Sequence, residues 1–292
     1  MSFTNYNQCS LLLPLDGVNN GTTFTDWSVT PKTITRVGTP ITSTSSSKYY
    51  GSSTIFDGID DYLTVPDSAD LDLSGDFTIA VWVNPGVISS QVQPFPNFLC
   101  KGTYQLATGV WAFILDRSNG SASFQFSNPA VTLVLGTLTD NTWSHLAITR
   151  VGSTLYRFFN GTLIATSTSS IDFSSTYVVS LGASSTGSSD FKGNLQDVLI
   201  MKGVALWTAS FTPTRLVGQL DGVVKDKDDV VAARGIRAHV GRNVSSFRTF
   251  TTTSSAIDGT YSLRVPATEV TRIALANETE LYNDIVDRIV VE

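Results

Sequence analysis

The chain has 292 residues, of which 41% are hydrophobic and only 15% are charged. It is long enough for one large β domain or two domains, and its low charge is typical of compact all-β proteins rather than of helical or disordered chains. The net charge is −6 without a basic cluster, so we expect no nucleic-acid-binding surface. No apolar stretch approaches the length of a membrane span, so we expect no membrane insertion.

Clusters of Gly, Asp, Asn and Ser divide the first 216 residues into short alternating segments, a spacing typical of β-sandwiches. The Asn160-Gly161 pair predicts a two-residue hairpin. The predicted strands cover residues 10–15, 33–37, 54–56, 62–65, 77–83, 97–101, 111–116, 121–126, 131–135, 143–150, 155–159, 162–167, 177–181 and 195–201.

The segment FTIAVWV, residues 77–83, alternates most regularly, with Phe77, Ile79, Val81 and Val83 on one face. Trp82 points to the other face, and its size predicts that this face is covered as well, which requires two stacked sheets. We assign Trp82 and Trp143 to the core. The cysteines, Cys9 and Cys100, stand in apolar surroundings and are predicted to be small core residues.

The character of the chain changes near residue 216. All four glutamates lie beyond it, and GVVKDKDDVVAARGIRAHV predicts two strands about an acidic turn. The stretch TTTSSAIDGTYSLRV predicts two strands about the Asp258-Gly259 turn, with Tyr261, Leu263 and Val265 on one face. This spacing predicts a small, independent β-sandwich over residues 217–292.

Three blocks follow one another in the first part: FDGIDDYLTVPDSADLDLSGDFTIAVWV, NTWSHLAITRVGSTLYRFFNGTLIATS and SLGASSTGSSDFKGNLQDVLIMKGVALW. In this order they resemble the laminin G-like/pentraxin-type branch of the concanavalin A-like jelly rolls, over most of residues 8–216. The C-terminal GVVKDKDDVVAARGIRAHV, TTSSAIDGTYSLRVP and LYNDIVDRIV resemble the carboxypeptidase-regulatory-like, immunoglobulin-like sandwich. The resemblances imply an all-β protein with a jelly-roll domain at 1–216 and an immunoglobulin-like domain at 217–292.

The opening CSLLLPLDGVNNGTTFTDWS with SKYYGSSTIFDG is similar to versions of the first domain found in tailed-phage virion proteins. The N-terminus has no positive n-region, and Pro14 interrupts its short apolar run, so no signal peptide is expected. The resemblance implies a virion protein made in the host cytoplasm, with other virion proteins as partners. Proteins of this kind are commonly symmetric multimers, so a homo-oligomer is expected.

Catalytic patterns are absent from the predicted jelly roll. Glucanases of this fold carry glutamates in an E-x-D-x-E pattern, whereas residues 1–268 contain no glutamate. A catalytic pair made of aspartates alone is the alternative that the sequence leaves open. A serine hydrolase needs a histidine base beside its nucleophile, and the two histidines, His145 and His239, are interpreted as satisfied structural residues. We therefore predict a protein that is not an enzyme and has no catalytic residues.

No cofactor is required by these patterns, but a structural calcium ion is an open alternative, because Ca²⁺ binds Asp, Asn and carbonyl oxygens in loops. The candidate ligands are Asp57, Asp60 and Asp61 in one turn, with Asp197 on a late strand that the fold could bring near. Asp-Gly pairs are also ordinary turn formers, and we favour that interpretation of Asp57-Gly58. The pentraxin-like calcium loop corresponds to residues 183–190, where only Asp190 is acidic.

Sugar recognition usually combines an aromatic platform with amides and carboxylates on loops. The candidate glycan-binding residues are the loop-like aromatics Trp27, Tyr49, Tyr50, Phe95, Tyr104 and Trp111. The functional hypothesis is a non-enzymatic phage virion protein, tail-associated, fibre-associated or capsid-attached, that presents a lectin-like domain to host glycans or partner proteins. The alternative is a capsid decoration or assembly module without a glycan ligand.

Overall fold

The computed structural model describes residues 5–103, 107–127, 130–223, 235–240, 248–253, 260–266, 269–276, 281–282 and 289–290. The chain divides into two compact units, Cys9–Pro213 and Met1–Gln8 with Thr214–Glu292. The described residues form strands joined by turns and loops, and the helices among them are short 3-10 helices at Tyr6–Gln8, Ala69–Leu71 and Ile88–Ser90. Among these residues, no helix has both the length and the apolar character that crossing a membrane requires.

The first unit is a sandwich of two antiparallel sheets, which confirms the predicted jelly-roll class. Within the described residues its strands are β1 Cys9–Leu13, β2 Thr35–Val37, β3 Ile41–Ser43, β4 Ser53–Asp57, β5 Tyr62–Val65, β6 Phe77–Asn84, β7 Asn97–Lys101, β8 Trp111–Leu115, β9 Ser121–Phe126, β10 Val131–Thr137, β11 Ser144–Val151, β12 Thr154–Phe159, β13 Thr162–Thr168, β14 Val179–Leu181 and β15 Lys192–Lys202.

The described strands form an eight-stranded sheet in the order β13-β12-β11-β6-β15-β4-β3, with β1 also paired to β15, and a seven-stranded sheet in the order β10-β9-β8-β7-β14-β5-β2. One edge of strand β15 pairs with β6, and its other edge is shared by two strands: β4 pairs with Lys192–Leu195 and β1 pairs with Val198–Met201. The register shifts between Gln196 and Leu199, and Asp197 there has a left-handed backbone with φ of 49°. This bulge separates the two halves of β15.

The core lies between the two sheets, where alternate residues of each strand point inward. The odd-numbered apolar residues of β6 are all buried there, as predicted. Aromatic rings fill much of the space: Phe56, Phe77, Phe98, Trp111, Phe113, Phe124, Phe126, Phe173 and Phe191.

The hairpin between β12 and β13 has the two-residue loop that the sequence predicts. Asn160 and Gly161 both have positive φ, 49° and 76°, as a type I′ turn requires. A Cβ added to Gly161 would lie 2.0 Å from the carbonyl oxygen of Phe211. The turn and the segment that packs on it therefore both require glycine at this position.

A buried arginine secures one end of the sandwich. The Arg150 side chain is 2% exposed. Its Nε donates to the Gly75 carbonyl at 2.7 Å and its Nη2 to the Leu73 carbonyl at 2.9 Å, and Nη1 donates to the Ile171 carbonyl. Arg150 thereby joins β11 to two connecting segments.

Both cysteines are free and buried, as predicted. Burial raises the pKa of the Cys9 thiol well above its usual value, and it raises the pKa of Cys100 to about 12. Both side chains are therefore protonated thiols near neutral pH.

The second unit is also built of antiparallel strands. Its described strands are β16 Val217–Val223, β17 Gly235–Val240, β18 Arg248–Thr253, β19 Thr260–Pro266, β20 Glu269–Ala276, β21 Leu281–Tyr282 and β22 Ile289–Val290. Leu263 and Val265, predicted to share a face, are both buried. The predicted turn at Asp258-Gly259 lies outside the described residues. The immunoglobulin-like identity of this unit and the domain boundary at residue 216 stay predictions.

Candidate functional site

A groove of about 430 Å³ lies on the outer face of the seven-stranded sheet. Its floor is formed by side chains that alternate with core residues along adjacent strands. Thr132 of β10 is paired with Gln125 of β9, and Ile114 of β8 is paired with Asn97 of β7. Thr103, Ser189 and Phe95 complete the lining. The sheet register therefore brings these residues together from four strands and three connecting segments.

Phe95 is an exposed aromatic residue at this groove, with 54% of its surface accessible. It stands between Pro94 and Pro96. Proline fixes its own φ and also restricts the residue before it, so the backbone on both sides of Phe95 has little freedom. The ring is consequently presented by a preorganised loop.

Two side chains hold this loop in place. The buried Gln91 donates from Nε2 to the carbonyls of Pro85 and Lys192, and its Oε1 accepts from the Lys192 backbone N–H at 2.8 Å. Arg117 donates from Nη1 to the carbonyls of Gln91 and Val92 at 2.8 and 2.9 Å. These bonds fix the loop to β15 and to the turn after β8.

The groove joins one aromatic ring to amide and hydroxyl groups, and none of its lining residues is charged. An aromatic ring stacks on an apolar ligand face, and amides and hydroxyls exchange hydrogen bonds with ligand hydroxyls. The lining contains no carboxylate or imidazole that could act as a general acid or base. The arrangement therefore favours binding of a polyhydroxylated ligand without chemical conversion.

Of the other predicted aromatic residues, those that the structure describes do not line this groove. Trp111 is 1% exposed and packs on Phe113 and Phe124 in the core. The prediction that it contacts a glycan is thus corrected, because the ring faces the opposite sheet. Trp27 is half-buried, and Tyr104 lies outside the described residues.

Tyr49 and Tyr50 lie over the eight-stranded sheet and are half-buried. The centroids of the Tyr49 and Trp82 rings lie 5.7 Å apart in an edge-on arrangement. The Tyr50 hydroxyl donates to the Asp197 carboxylate at 2.8 Å. Both rings therefore already pack on their own domain. As glycan contacts they stay predictions, on the face of the sandwich opposite to Phe95.

Trp82 belongs to an aromatic cluster on the outer face of the eight-stranded sheet, together with His145, Trp207 and Phe211. Trp82 is 5% exposed and thus buried as predicted, but it packs in this cluster and not in the space between the two sheets; the prediction of two stacked sheets is right. Trp207 and Phe211 follow β15 and help to cover this face; their rings are stacked, with centroids 3.9 Å apart. Trp143, in contrast, is only half-buried, so its assignment to the core is wrong.

His145 lies within this cluster and is 5% exposed. Its Nδ1 is buried without a hydrogen-bond partner in the described part of the chain, so the histidine is structural but not satisfied as predicted. Burial lowers the pKa of His145 to about 3. The ring is therefore neutral near neutral pH, enclosed and distant from the groove's lining.

Asp57, Asp60 and Asp61 lie together in one turn, with one oxygen of each within 4.8 Å of the others. Asp57 Oδ1 accepts the Ile59 N–H at 2.8 Å, and Gly58 has φ of 80°. Asp61 accepts the backbone N–H groups of Thr39 and Asp57. These bonds match the predicted turn role of Asp57-Gly58.

Asp197 does not join this cluster, which corrects the predicted set of metal ligands. Asp57 pairs with Lys192, and Asp197 lies five residues further along β15, about 16 Å at the usual rise of a strand. Asp190 is close to the turn instead. It is 5% exposed and its Oδ1 has no hydrogen-bond partner among the described residues. Burial raises the pKa of the Asp190 carboxyl, and the charges of Asp57, Asp60 and Asp61 raise it further.

A laminin G family model, described as the Concanavalin A-like lectin/glucanases superfamily, matches residues 57–208, just over half of the chain. No curated protein matches the sequence. Domain 4 of AbnA, an extracellular arabinanase of Geobacillus stearothermophilus solved with arabinotriose, is 17% identical with a TM-score of 0.50; the alignment covers 67% of this chain and 93% of that one.

Two toxin domains are also similar in structure. The binding domain of botulinum neurotoxin serotype D is 9% identical with a TM-score of 0.52, over 95% of this chain and 74% of that one. The binding domain of Paraclostridial mosquitocidal protein 1 is 10% identical with a TM-score of 0.52, over 97% and 73%. At these identities the similarities establish the fold alone.

Proposed function

The chain belongs to the Concanavalin A-like lectin/glucanases superfamily, and we propose that it is a non-enzymatic glycan-binding protein of a phage virion. Its jelly roll would present the groove beside Phe95 to host surface glycans or partner proteins. The observation that carries the proposal is the exposed, proline-flanked Phe95 beside an uncharged set of amides and hydroxyls.

The similar structures include domains whose names refer to a bound ligand or to binding. The arabinanase domain was solved with a bound oligosaccharide, and the two toxin domains are named as binding domains. The absence of glutamate from residues 1–268 and the enclosed position of His145 also favour binding over catalysis. A binding role is thus the simplest use of the groove.

Replacing Phe95 with alanine is expected to weaken glycan binding by at least about tenfold, because a stacked aromatic anchor contributes about 2 kcal/mol or more at a binding site. Binding is first measured on a glycan array and then by calorimetry with the best ligand. Val92→Ala is the matched control, since Val92 is exposed on the same loop but does not line the groove. Equal affinities of Phe95→Ala and wild type would place any ligand elsewhere.

The virion assignment rests on the similarity of the opening block to tailed-phage proteins. Mass spectrometry of purified particles should find the chain at a fixed copy number, with other virion proteins and further copies of itself as neighbours. Presence on the particle without binding to any glycan would favour the alternative, a decoration or assembly module. Absence from the particle would contradict both.

We further propose a structural calcium ion at the turn that holds Asp57, Asp60 and Asp61, with Asp190 in place of Asp197. The unpartnered Asp190 Oδ1 and the mutual repulsion of these carboxylates support a cation there. Oxygen ligands of this kind suit Ca²⁺.

Calcium at 100 times its dissociation constant should stabilise the fold by about 2.7 kcal/mol, and a domain of this size should then melt about 5–10 °C higher. The measurement is thermal unfolding in calcium and in chelator. Asp190→Asn should remove most of the shift, whereas Asp116→Asn, at an exposed turn, should retain it. Identical melting of the wild type in calcium and in chelator would refute the ion.

A further inference from the structure

The part of the sheet that carries the groove is almost free of charge. Residues 84–139 span 56 positions, and only Lys101, Asp116 and Arg117 among them are charged. The segments 104–106 and 128–129, whose structure is not described, contain no charged residue in the sequence. The described lining of the groove therefore offers a ligand only hydroxyl, amide, aromatic and aliphatic groups.

Each of these three charges is already engaged. The Lys101 side chain is fully buried and forms ion pairs with Asp67 and Asp72 at 2.9 and 2.8 Å. Asp116 accepts hydrogen bonds from the turn residues that follow it. The Arg117 guanidinium is bonded to two loop carbonyls. Of these three charges, only Arg117 could offer a cationic partner to a ligand carboxylate, and it would have to leave the loop carbonyls to do so.

Charged residues adjoin one segment of the lining in the sequence. Ser189, which lines the groove, is followed directly by Asp190. The pKa of Asp190 responds to Asp57, Asp60 and Asp61, so four carboxylates share this end of the domain. Lys192 is exposed there and, in register with Asp57, offsets one of these charges. The calcium ion proposed above would balance these charges, so the exclusion of anions rests on the uncharged lining of the groove and not on this end of the domain.

We infer that the groove takes neutral, hydroxyl-rich oligosaccharides and rejects glycans that carry carboxylate, sulfate or phosphate groups. The inference rests on the proposed function. Recognition of such anions normally uses Arg or Lys in direct contact. An anion bound without a cationic partner loses hydration that the groove cannot replace.

The test compares one neutral oligosaccharide with its sialylated and uronic-acid-containing forms. Wild type should bind the neutral form at least about tenfold more tightly than either anionic form, a difference of about 1.4 kcal/mol. The affinity for the neutral form should change by less than about twofold between low and high salt, since no ion pair is formed.

Thr132→Lys provides the reciprocal test, because Thr132 is exposed and lines the groove. It should increase affinity for the anionic forms at least about tenfold at low salt. Thr137→Lys adds the same charge at an exposed position of the same strand outside the lining, and it should leave the preference unchanged.

The outcomes separate this inference from the function on which it rests. If wild type binds the anionic forms as tightly as the neutral form, and Phe95→Ala loses affinity for both, the inference is overturned. The proposed glycan binding at the groove would then remain intact. No binding of either class would overturn the proposed function and this inference together. If Thr132→Lys and Thr137→Lys raise the affinity for anionic forms equally, the inference is also overturned, because selectivity would then follow the net charge of the protein alone.

Discussion

Replacing Arg150 with methionine should lower the free energy of unfolding of the jelly roll by about 3–5 kcal/mol. The guanidinium donates to the carbonyls of Leu73, Gly75 and Ile171 and lies 4.9 Å from the Phe77 ring. Methionine retains an apolar stem but leaves three carbonyls without their donors, and each unsatisfied buried group costs about 1–3 kcal/mol. Lysine should rescue only part of the loss, since one ammonium cannot reproduce the planar fork.

The measurement is urea unfolding followed by tryptophan fluorescence. All five tryptophans, Trp27, Trp82, Trp111, Trp143 and Trp207, lie within Cys9–Pro213, so the signal reports on the jelly roll. Arg117→Met is the control, because Arg117 also donates to two carbonyls but is exposed. Water can replace its bonds, and the expected loss is below about 1 kcal/mol. Equal losses in the two variants would contradict the role given to burial.

The second large effect is on pH dependence. His145 has a pKa of about 3 in the folded chain, against an ordinary value of 6.5. Between these values the unfolded chain binds a proton that the folded chain does not. Stability contributed by the neutral ring is therefore fully present above pH 6.5 and is lost as the pH falls toward 3, by about 2 kcal/mol at pH 5.

His145→Phe should remove this dependence, because phenylalanine fills similar space among the same rings without binding a proton. The expected result is a difference of about 2 kcal/mol between wild type and variant in the stability lost from pH 7 to pH 5. The raised pKa values of Asp61 and Asp190 act in the opposite direction but are common to both proteins, so they cancel. Parallel pH profiles would show that His145 is protonated in the folded state. Chelator in both samples excludes linkage to calcium.

The strands of the jelly roll could be predicted because period-two alternation is a local property of the sequence. In β6 this pattern correctly predicts which apolar side chains enter the core. It does not show what covers the other face. Trp82 is covered by Tyr49 and by the aromatic cluster with His145, and only the path of the chain after β15 brings Trp207 and Phe211 to that cluster.

The candidate site was predictable only in part for the same reason. Phe95 could be identified from the Pro-Phe-Pro sequence, which indicates a stiff, exposed loop. Gln125 and Thr132 could not, because each is an ordinary outward position and only the register of β9 with β10 makes them neighbours. Trp111 is counted among the loop-like aromatics in the sequence, although the alternation of WAFIL places it in the core. The pairing of β15 with β4 brings Asp190, and not Asp197, close to the turn at Asp57. No local sequence pattern specifies that register.

The buried thiols make this chain a convenient scaffold for fluorescent reporters. Cys9 and Cys100 are enclosed, and their high pKa values keep the reactive thiolate scarce at the pH of maleimide coupling. A single cysteine introduced at the rim of the groove would therefore be the dominant site of labelling without removal of the native pair. A dye attached there would convert ligand occupancy into an optical signal from an otherwise unaltered protein.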